Sequence, residues 1–265
     1  MSDRFGFGRN WNHFLATMDE DRRREAVRSL SEWLNTKDLS GKTFLDIGSG
    51  SGLFSLAARD MGAFVYSFDY DPECVECTKT MKSRYYPGDN MWEIERGDAL
   101  DKEYLSKYVS QDVVYSWGVL HHTGNMYAAL ENAGNLVKKG GLLYIAIYND
   151  QGGLSVFWKK EKKLYNRFPA PIRLCVAVVF FLSLWTVRTV KDFIRLRPFE
   201  TYRNYKRKRG MSPWYDAVDW VGGYPFEVAK PEEIVHFFRN KRFELVKLES
   251  VGGSNRCNQF VFKRT

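Results

Sequence analysis

The chain turns from its first predicted strand into a helix through the stretch Asp46-Ile47-Gly48-Ser49-Gly50-Ser51-Gly52. Glycines at such a turn let the backbone bend sharply and approach a ligand closely, and the start of the following helix offers unpaired N–H groups. A dinucleotide fingerprint would place Gly or Ala at the next position, where this chain has Leu53. The loop therefore predicts a ligand at the end of the first strand and argues against a dinucleotide.

Strand-like and helical patterns alternate on both sides of this loop. Short apolar runs ending in glycine or an acid, with helical spacing between them, are typical of a parallel sheet covered on both faces. The predicted strands are Thr43–Ile47, Phe64–Phe68, Trp92–Glu95, Val113–Ser116, Leu142–Tyr148, Phe243–Ser250 and Gln259–Lys263. A turn-rich link at 251–255 joins the last two strands and predicts an antiparallel hairpin. The predicted fold is therefore an α/β, seven-stranded sheet, parallel except at this hairpin and flanked by helices.

The order of these patterns divides the chain into three parts. Residues 1–35 are predicted to form an N-terminal flap and a helix, and the core is predicted to occupy 36–150 and 230–265. Residues 151–229 then form a helical insertion between the fifth and sixth strands. Because the N-terminal segment mixes aromatic residues with glycines, it is either a flap that orders over the ligands, with Trp11 contacting the substrate, or an apolar strip docked on the sheet.

Two carboxylates follow the next two strands at positions that suit a nucleoside. Asp69 ends the second strand 17 residues after Gly52, where an acid can accept both ribose hydroxyls, and Asp98 follows the third strand, where it can accept from an adenine amino group. The segments Asp112–Ser116 and Val137–Gly141 complete an ordered set of four motifs. In these motifs the chain resembles the class I, Rossmann-like S-adenosylmethionine-dependent methyltransferases.

This resemblance implies S-adenosylmethionine as the cofactor and methyl transfer as the reaction. The cofactor-binding residues that it implies are Asp46, Gly48, Gly50 and Gly52 near the methionine moiety, Asp69 and Tyr70 at the ribose and adenine, Asp98 and Ala99 at the adenine edge, and Ser116 and Trp117 at the sulfonium end. Asp71 stands directly before Pro72 and fits a helix cap better than a ligand contact.

An oxygen acceptor must also lose a proton, and histidine is the usual base near neutral pH. His121 and His122 lie just past the fourth strand, and Asp150 lies after the fifth strand at the same edge, where an acid can orient a histidine. Some sugar and phenol O-methyltransferases look similar here, although the same His pair can instead pack the start of a helix. No metal is predicted, because Ser116 and Trp117 stand where the metal-dependent catechol-type branch has an acid.

The formal charge of +8 is concentrated in the insertion. The segment Lys159–Arg209 holds 15 Lys and Arg against three acids, a net charge of +12 that leaves −4 for the rest of the chain. Within it, Leu174–Val187 is fourteen residues without charge, shorter than the ~20 residues of an ordinary membrane span. The pattern predicts peripheral contact of residues 159–209 with an anionic membrane surface, the alternative being a helix packed on the core or at a dimer interface.

The end of the insertion is rich in aromatic side chains. Trp214, Tyr215, Trp220 and Tyr224 surround a Gly-Gly pair, a mixture that suits a lid over an apolar acceptor. In position and character the insertion resembles that of the ubiquinone-biosynthesis O-methyltransferases. The predicted acceptor is therefore an amphipathic small molecule: a quinone precursor, a lipid or a lipid-linked sugar.

Two other functions stay open from the sequence. One is an RNA methyltransferase that holds phosphates with the basic segment, and the other is a non-catalytic partner protein that binds the cofactor. The apolar run inside the basic segment and the lack of an Asn-Pro-Pro-[Tyr/Phe] motif after the fourth strand disfavour nucleic acid. Four cysteines without disulfide spacing and a polar N-terminus predict a reducing cytoplasm, whereas the oligomeric state is not indicated.

Overall fold

The protein is built around one mixed β-sheet. The computed structural model describes residues 18–201 and 213–265, together with Phe5, Gly6, Gly8, Trp11 and Leu15. The strands are β1 (Thr43–Ile47), β2 (Phe64–Asp69), β3 (Trp92–Arg96), β4 (Gln111–Trp117), β5 (Val137–Tyr148), β6 (Phe243–Glu249) and β7 (Cys257–Arg264). Their order is β3-β2-β1-β4-β5-β7-β6, and all neighbours are parallel except β7, which is antiparallel to β5 and β6. The predicted Rossmann-like fold is confirmed.

Helices cover both faces of this sheet. The helices are α1 (Glu20–Leu34), α2 (Leu53–Asp60), α3 (Pro72–Tyr85), α4 (Lys102–Leu105), α5 (Met126–Leu136), α6 (Gly153–Arg167), α7 (Ala170–Ile194), α8 (Pro213–Gly222) and α9 (Pro231–Arg239). Asp71 caps α3 as predicted, because its side chain accepts a hydrogen bond from the Glu73 N–H and Pro72 occupies the first turn.

The alternation of side chains along the central strands builds a core on each face. On β1, Leu45 points into a cluster that contains Phe238 of α9, whereas Phe44 points into the opposite cluster with Leu30 of α1 and Leu56 of α2. All five side chains are fully buried. Because both faces of these strands are covered, their sequences are continuous apolar runs, which is the pattern expected of a central parallel strand.

β5 is longer than the sequence predicts. The predicted strand begins at Leu142, whereas the observed strand begins at Val137 and includes the motif Val137–Gly141. Gly140 has φ +78°, and the pairing of β5 with β4 shifts register between Gln111 and Val113. A glycine in the left-handed region permits an irregularity of this kind within a strand. The Gly140-Gly141 pair therefore marks a β-bulge rather than a turn.

The insertion leaves the core after β5 and rejoins it beside the point where it left. The N–H of Ala229 donates to the carbonyl of Tyr148 at 3.0 Å, and the N–H of Asp150 donates to the carbonyl of Ala229 at 3.2 Å. Tyr165, Ala177 and Val221 form a small buried cluster that joins α6, α7 and α8. The insertion therefore has its own packing and is closed at its base by backbone hydrogen bonds.

α7 corrects one argument drawn from the sequence. The helix has 25 residues, so it extends beyond the uncharged run on both sides. At 1.5 Å per residue it is about 37 Å long. Within the described ranges it is the one helix long and apolar enough to cross a membrane by length and composition. Length alone therefore does not exclude a span, although core helices of soluble proteins also pass this criterion.

Two buried asparagines fasten the hairpin β6–β7 to the end of β5. Asn258 donates from Nδ2 to Oδ1 of Asn149 at 3.0 Å, and its Oδ1 accepts from the N–H of Val251 at 3.0 Å. Asn149 in turn donates from Nδ2 to the carbonyl of Gly252 at 2.7 Å. Because these amides are buried, each lost partner would leave an unpaired polar group away from water.

We expect Asn258→Ala to lower the free energy of unfolding by about 2–3 kcal/mol, since it removes two hydrogen bonds and leaves the Asn149 oxygen and the Val251 N–H unpaired. Chemical denaturation measures the change. Asn135→Ala, at an exposed position of α5, is the matched control and should change stability by less than ~0.5 kcal/mol. Equal stability of the two variants would contradict the proposed role of this amide pair.

Candidate active site

The glycine loop is held against the ends of two neighbouring strands. The N–H groups of Gly48 and Ser49 both donate to the carbonyl of Phe68 at the end of β2, at 2.8 and 3.1 Å. Gly48 has φ +79°, and a Cβ atom there would lie 2.4 Å from the side chain of Val119. Any larger residue would therefore be strained in its backbone and would collide with the loop that follows β4.

The other two glycines of the loop are also in the left-handed region, at φ +55° for Gly50 and +78° for Gly52. A Cβ atom at Gly50 would lie 3.2 Å from the indole of Trp11, so the ring packs directly on the loop backbone. The sequence predicts that another group can approach the backbone of this loop closely. In this structure that group is the side chain of Trp11.

Asp69 lies beside the glycine loop at the end of β2. Its carboxylate accepts from the N–H of Gly50 at 3.0 Å and from the N–H of Asp71 at 2.9 Å. Burial raises the pKa of this carboxyl to about 6, although the two backbone N–H groups oppose the shift. Each oxygen of an ionised carboxylate has further acceptor capacity, which is what two ribose hydroxyls require. The ribose contact itself stays a prediction.

Asp46 is buried beneath the loop. Its carboxylate accepts from the Ser55 hydroxyl of α2 at 2.5 Å, and Ser55 continues through Ser67 to the indole N–H of Trp92. Burial raises the pKa of Asp46 to about 7, and the negative charge of Asp69 adds to the shift. The structure therefore places Asp46 in a network that supports the loop, and its approach to the methionine moiety stays a prediction.

The residues predicted at the adenine lie just after β3, in the case of Asp98 and Ala99, and just after β2, in the case of Tyr70. Asp98 accepts from the N–H of Leu100 at 2.9 Å. Ala99 is buried, and its carbonyl accepts from the side chain of Asn132 at 2.9 Å. Tyr70 is exposed, and the guanidinium of Arg96 lies 5.8 Å from its ring centre. Their roles at the adenine stay predictions.

Ser116 and Trp117 at the end of β4 face different surroundings. The hydroxyl of Ser116 is buried and donates to the carbonyl of Ile47 at 2.9 Å, so it ties β4 to β1 just before the glycine loop. The indole of Trp117 is 45% exposed and donates to the Gln259 side chain of β7 at 3.0 Å. A contact of either side chain with the sulfonium end stays a prediction.

The described N-terminal residues run along the ligand edge of the sheet. Phe5 donates from its N–H to the carbonyl of Tyr224 at 2.8 Å, and Gly8 donates to the Asp71 carboxylate at 3.0 Å. With Trp11 on Gly50, the segment connects the lid to the start of α3 and to the glycine loop. The sequence did not indicate the hydrogen bond between Gly8 and Asp71. The position of Asp71 before a proline already explained this residue as a helix cap.

The two predicted histidines are buried and adjacent. His121 Nδ1 accepts from the N–H of Tyr148 at 3.3 Å, which leaves the proton of a neutral ring on Nε2, and Nε2 has no hydrogen-bond partner in the described structure. His122 Nδ1 lies 2.6 Å from the carbonyl of Pro225. Burial lowers the pKa of His121 well below its usual range and that of His122 to about 4.

In the described part of the chain Asp150 makes no hydrogen bond to either histidine, so its pairing with a histidine stays a prediction. The Asp150 carboxylate accepts from the N–H of Gly152 at 2.8 Å, in the turn that leads into α6. The rings of His121 and His122 instead contact Tyr148, at centroid distances of 4.1 and 5.5 Å. Asp150 reaches the same sheet edge, as predicted, but its side chain is used by its own turn. The role of the histidines as bases also stays a prediction.

The lid residues divide between the insertion core and the sheet edge. Trp214 packs on Phe181 of α7, with ring centres 5.5 Å apart, and Trp220 packs on Tyr148 at 5.8 Å. Tyr224 contributes its carbonyl to the contact with Phe5, and the side chain of Tyr215 lies outside the described residues. Together with Phe226, which lies 5.4 Å from Tyr148, Trp220 and Tyr148 form what we call the aromatic cluster.

One residue of this site was missed in the sequence. Lys162 is 1% exposed, and its ammonium nitrogen lies 4.3 Å from the ring centre of Trp220. It belongs to a basic run that is otherwise exposed, so composition gave no indication of its burial. The signal that could have found it is its helical spacing with Ser155 and Tyr165, which both face inward on α6.

In the described parts of the chain, no group of three or more His, Cys, Asp or Glu side chains is arranged to hold a metal ion. The site instead combines the glycine loop, the Asp69 carboxylate at the end of β2 and the aromatic cluster at the end of β5. Residues 18–195 match the model of the methyltransferase domain family. This chain belongs to that family. The match confirms the predicted membership in a methyltransferase family.

Curated relatives share only part of the chain. It is 27% identical over 114 residues to a ubiquinone biosynthesis O-methyltransferase of Glaesserella parasuis serovar 5, covering 43% of this chain and 48% of that protein. It is 28% identical over 113 residues to a ribosomal protein L11 methyltransferase of Tolumonas auensis, covering 42% and 38%. The chain thus spans about half the length, or less, of the curated relatives that it matches.

Solved structures of methyltransferases share the fold. Magnesium protoporphyrin IX methyltransferase from Synechocystis, with bound S-adenosylhomocysteine, has a TM-score of 0.55 and 16% identity, over 92% of this chain and 84% of that chain. An O-methyltransferase family protein from Burkholderia thailandensis has a TM-score of 0.51 and 16% identity, over 84% and 51%. At these identities the neighbours show that the chain shares the methyltransferase fold, and S-adenosylmethionine as its cofactor stays a prediction.

We expect Asp69→Asn to weaken binding of S-adenosylhomocysteine by about 2–3 kcal/mol, because an amide replaces the charged acceptor of the ribose hydroxyls. Titration calorimetry measures the affinity. In the wild type, affinity should also fall as the pH drops below about 6, where the carboxyl becomes protonated, and the Asn variant should lack this dependence. Asp101→Asn, at the cap of α4, is the control and should bind normally. Unchanged affinity in Asp69→Asn would refute the assignment.

Proposed function

We propose that the protein is an S-adenosylmethionine-dependent O-methyltransferase whose acceptor is an amphipathic small molecule, such as a quinone precursor, a lipid or a lipid-linked sugar. The observation that carries the proposal is the aromatic cluster at the end of β5. Tyr148 ends β5, while Trp220 and Phe226 come from the insertion and meet each other at a centroid distance of 6.3 Å. Rings joined with a few polar groups are typical of pockets for flat, apolar ligands.

The residues beside the glycine loop fit the cofactor. The backbone of the glycine loop lies next to Asp69, with Gly50 bonded to its carboxylate, and the start of α2 follows directly with its unpaired N–H groups. When bound, S-adenosylmethionine supplies a methyl group already activated by its sulfonium, so the chain need not activate the donor. The loop and Asp69 would hold the nucleoside, and the aromatic cluster would exclude water from the acceptor.

Oxygen is proposed as the methylated atom on the basis of one relative. The ubiquinone biosynthesis protein is by name an O-methyltransferase, and its similarity to this chain covers 43% of the chain. The ribosomal protein L11 methyltransferase of Tolumonas auensis covers a similar share, 42%, so the core alone does not separate a small acceptor from a protein acceptor. The insertion favours the small molecule, since its aromatic cluster packs closely and leaves Lys162 only 1% exposed.

The outward face of the insertion supports a membrane-bound acceptor. Of the 23 large hydrophobic side chains exposed in the described structure, 15 lie between residues 154 and 199. On α7, Val179 is 68% exposed and Leu182 is 56% exposed. Exposed lysines such as Lys159 and Lys160 lie on the neighbouring α6. We propose that this face docks peripherally on an anionic membrane, on its cytoplasmic side, where apolar burial and lipid headgroups both contribute.

Two aromatic residues of α7, Phe180 and Trp185, are unsuitable positions for a test of membrane contact. Phe180 belongs to the insertion core, and Trp185 is buried. Replacing them would disturb packing as well as the surface. Val179 and Leu182 are the appropriate positions because both side chains already face outward.

We expect the purified protein to transfer a labelled methyl group from S-adenosylmethionine into a lipid extract of its source cells. Mass spectrometry of the extract identifies the acceptor as the compound that gains one methyl. The Asp69→Asn variant should give little transfer at limiting cofactor. Label in RNA or ribosomal protein would favour a macromolecular acceptor instead, and no transfer to any fraction would favour the non-catalytic partner.

We expect Val179→Ser with Leu182→Ser to reduce partition onto anionic liposomes at least tenfold. Each side chain contributes about 1.5–3 kcal/mol when it is buried, so the double change exceeds the 1.4 kcal/mol of a tenfold effect. Co-sedimentation measures the partition at several anionic lipid contents. The control, Val109→Ser with Val246→Ser, changes two exposed valines outside the insertion and should bind as the wild type does.

Two results would overturn the membrane proposal. One is equal partition of the wild type and the Val179/Leu182 variant, and the other is no binding by the wild type at any anionic content. Binding to RNA that disappears at high salt and is unaffected by the Val179/Leu182 change would support the nucleic-acid alternative.

A further inference from the structure

Lys162 is buried in an apolar setting without an ion pair. Its ammonium nitrogen lies 4.3 Å from the ring centre of Trp220 and 5.0 Å from that of Phe226. Within the described residues, no carboxylate lies within 4.0 Å of this nitrogen and it donates no hydrogen bond to the protein. Contact with ring faces offsets only part of the cost of removing an ammonium group from water.

Methionine would fill the same space at lower cost, because it has a similar length and no charge. A buried lysine in this position is therefore unfavourable for stability, and groups of this kind are found where function requires their chemistry. The position of Lys162 agrees with a functional role. Lys162 contacts two members of the aromatic cluster, and the cluster's third member, Tyr148, ends β5 at the ligand edge of the sheet.

A second polar group lies next to the same cluster without a partner. His121 is fully buried, its ring lies 4.1 Å from that of Tyr148, and its Nε2 has no hydrogen-bond partner in the described structure. The positive charge of Lys162 contributes to the lowered pKa of His121, so the two groups lie within electrostatic reach of each other. A buried N–H and a buried amine beside the same rings are the groups that an acceptor oxygen would satisfy.

The ionisation of Lys162 suits a base. Burial lowers the pKa of its ammonium to about 7, while the negative charges of Glu161 on the same helix and Asp219 on α8 raise it. From the loop after β4, His121 and His122 also face it, and both are neutral near pH 7 because burial lowers each pKa. At neutral pH, Lys162 is therefore present in both forms, whereas His122 with a pKa of about 4 is a weak base.

We propose that Lys162 is the general base of the acceptor site and takes the proton of an acidic hydroxyl, such as a phenol, on a flat acceptor bounded by the aromatic cluster. The inference rests on the proposed function. In the step, the acceptor O–H bond breaks and its proton moves to the Lys162 amine. The oxygen then attacks the methyl carbon as the C–S bond breaks, and that electron pair stays on sulfur to give S-adenosylhomocysteine.

The test uses para-nitrophenol as the probe, since it is a flat ring with an acidic hydroxyl whose phenolate absorbs visibly. We expect the full-length wild type to bind the probe as phenolate. Above the pKa of Lys162, binding should also take up a proton, which titration calorimetry in buffers of different ionisation enthalpy detects. In Lys162→Met, phenolate affinity should fall by about ten- to a hundredfold, as for the loss of a charge-assisted hydrogen bond.

Two further variants distinguish a base from a structural residue. Lys162→Arg keeps a permanent charge, so it should bind phenolate without proton uptake. Lys163→Met changes the exposed neighbour on α6 and should behave as the wild type. Binding of phenolate by Lys162→Met as tightly as by the wild type would overturn the proposal, and so would the lack of any probe binding by the wild type.

Failure of this proposal differs from failure of the proposed function. If Lys162→Met binds S-adenosylhomocysteine normally but no longer binds the phenolate, the role of Lys162 in the acceptor site is supported even when no lipid fraction is methylated. If lipid is methylated equally by the wild type and Lys162→Met, the function stands and Lys162 is not the base.

Discussion

The glycine loop is fixed by two hydrogen bonds to a single carbonyl, that of Phe68 at the end of β2. The bonds from Gly48 and Ser49 bring the loop against the strand whose next residue is Asp69, so loop and carboxylate become one unit. The arrangement is available only to a backbone with positive φ and no side chain at Gly48, because Val119 occupies the space beyond it. The cofactor half of the site depends on this close packing of β1, β2 and the loop after β4.

A buried ionisable group lies beside the glycine loop and another lies in the aromatic cluster. Burial shifts their pKa values in opposite directions. Burial raises the pKa of Asp69 to about 6 and lowers that of Lys162 to about 7. The Asp69 carboxylate accepts from backbone N–H groups, while the Lys162 ammonium contacts ring faces and has no hydrogen-bond partner among the described residues. This difference fits the two proposed roles: a carboxylate that is charged at neutral pH can accept the ribose hydroxyls, and an amine near its pKa can gain or lose a proton.

The insertion has two faces with different chemistry. Its inward face carries Lys162 and Trp220 to the aromatic cluster, and its outward face exposes side chains such as Val179 and Leu182. The backbone bonds at Ala229 close its base, so both faces are positioned by the same junction with β5. A substrate drawn from a membrane by the outer face would need to travel only the thickness of this helical layer to reach the inner one.

The sequence by itself determined the sheet, the glycine loop and the acids at the strand ends, because these follow from local periods of apolar residues and from positions directly after strands. It also placed Asp150 at the correct sheet edge. Only the tertiary structure decided which side chains meet there. Asp150 bonds to its own turn at Gly152, and Lys162, one of several lysines in a basic run, is the one turned inward. Such choices depend on the rotation and packing of α6 against α8 and β5, which a one-dimensional pattern does not record. The length of α7 was missed for a related reason, since charged residues at its ends continue the helix even though they interrupt the apolar run.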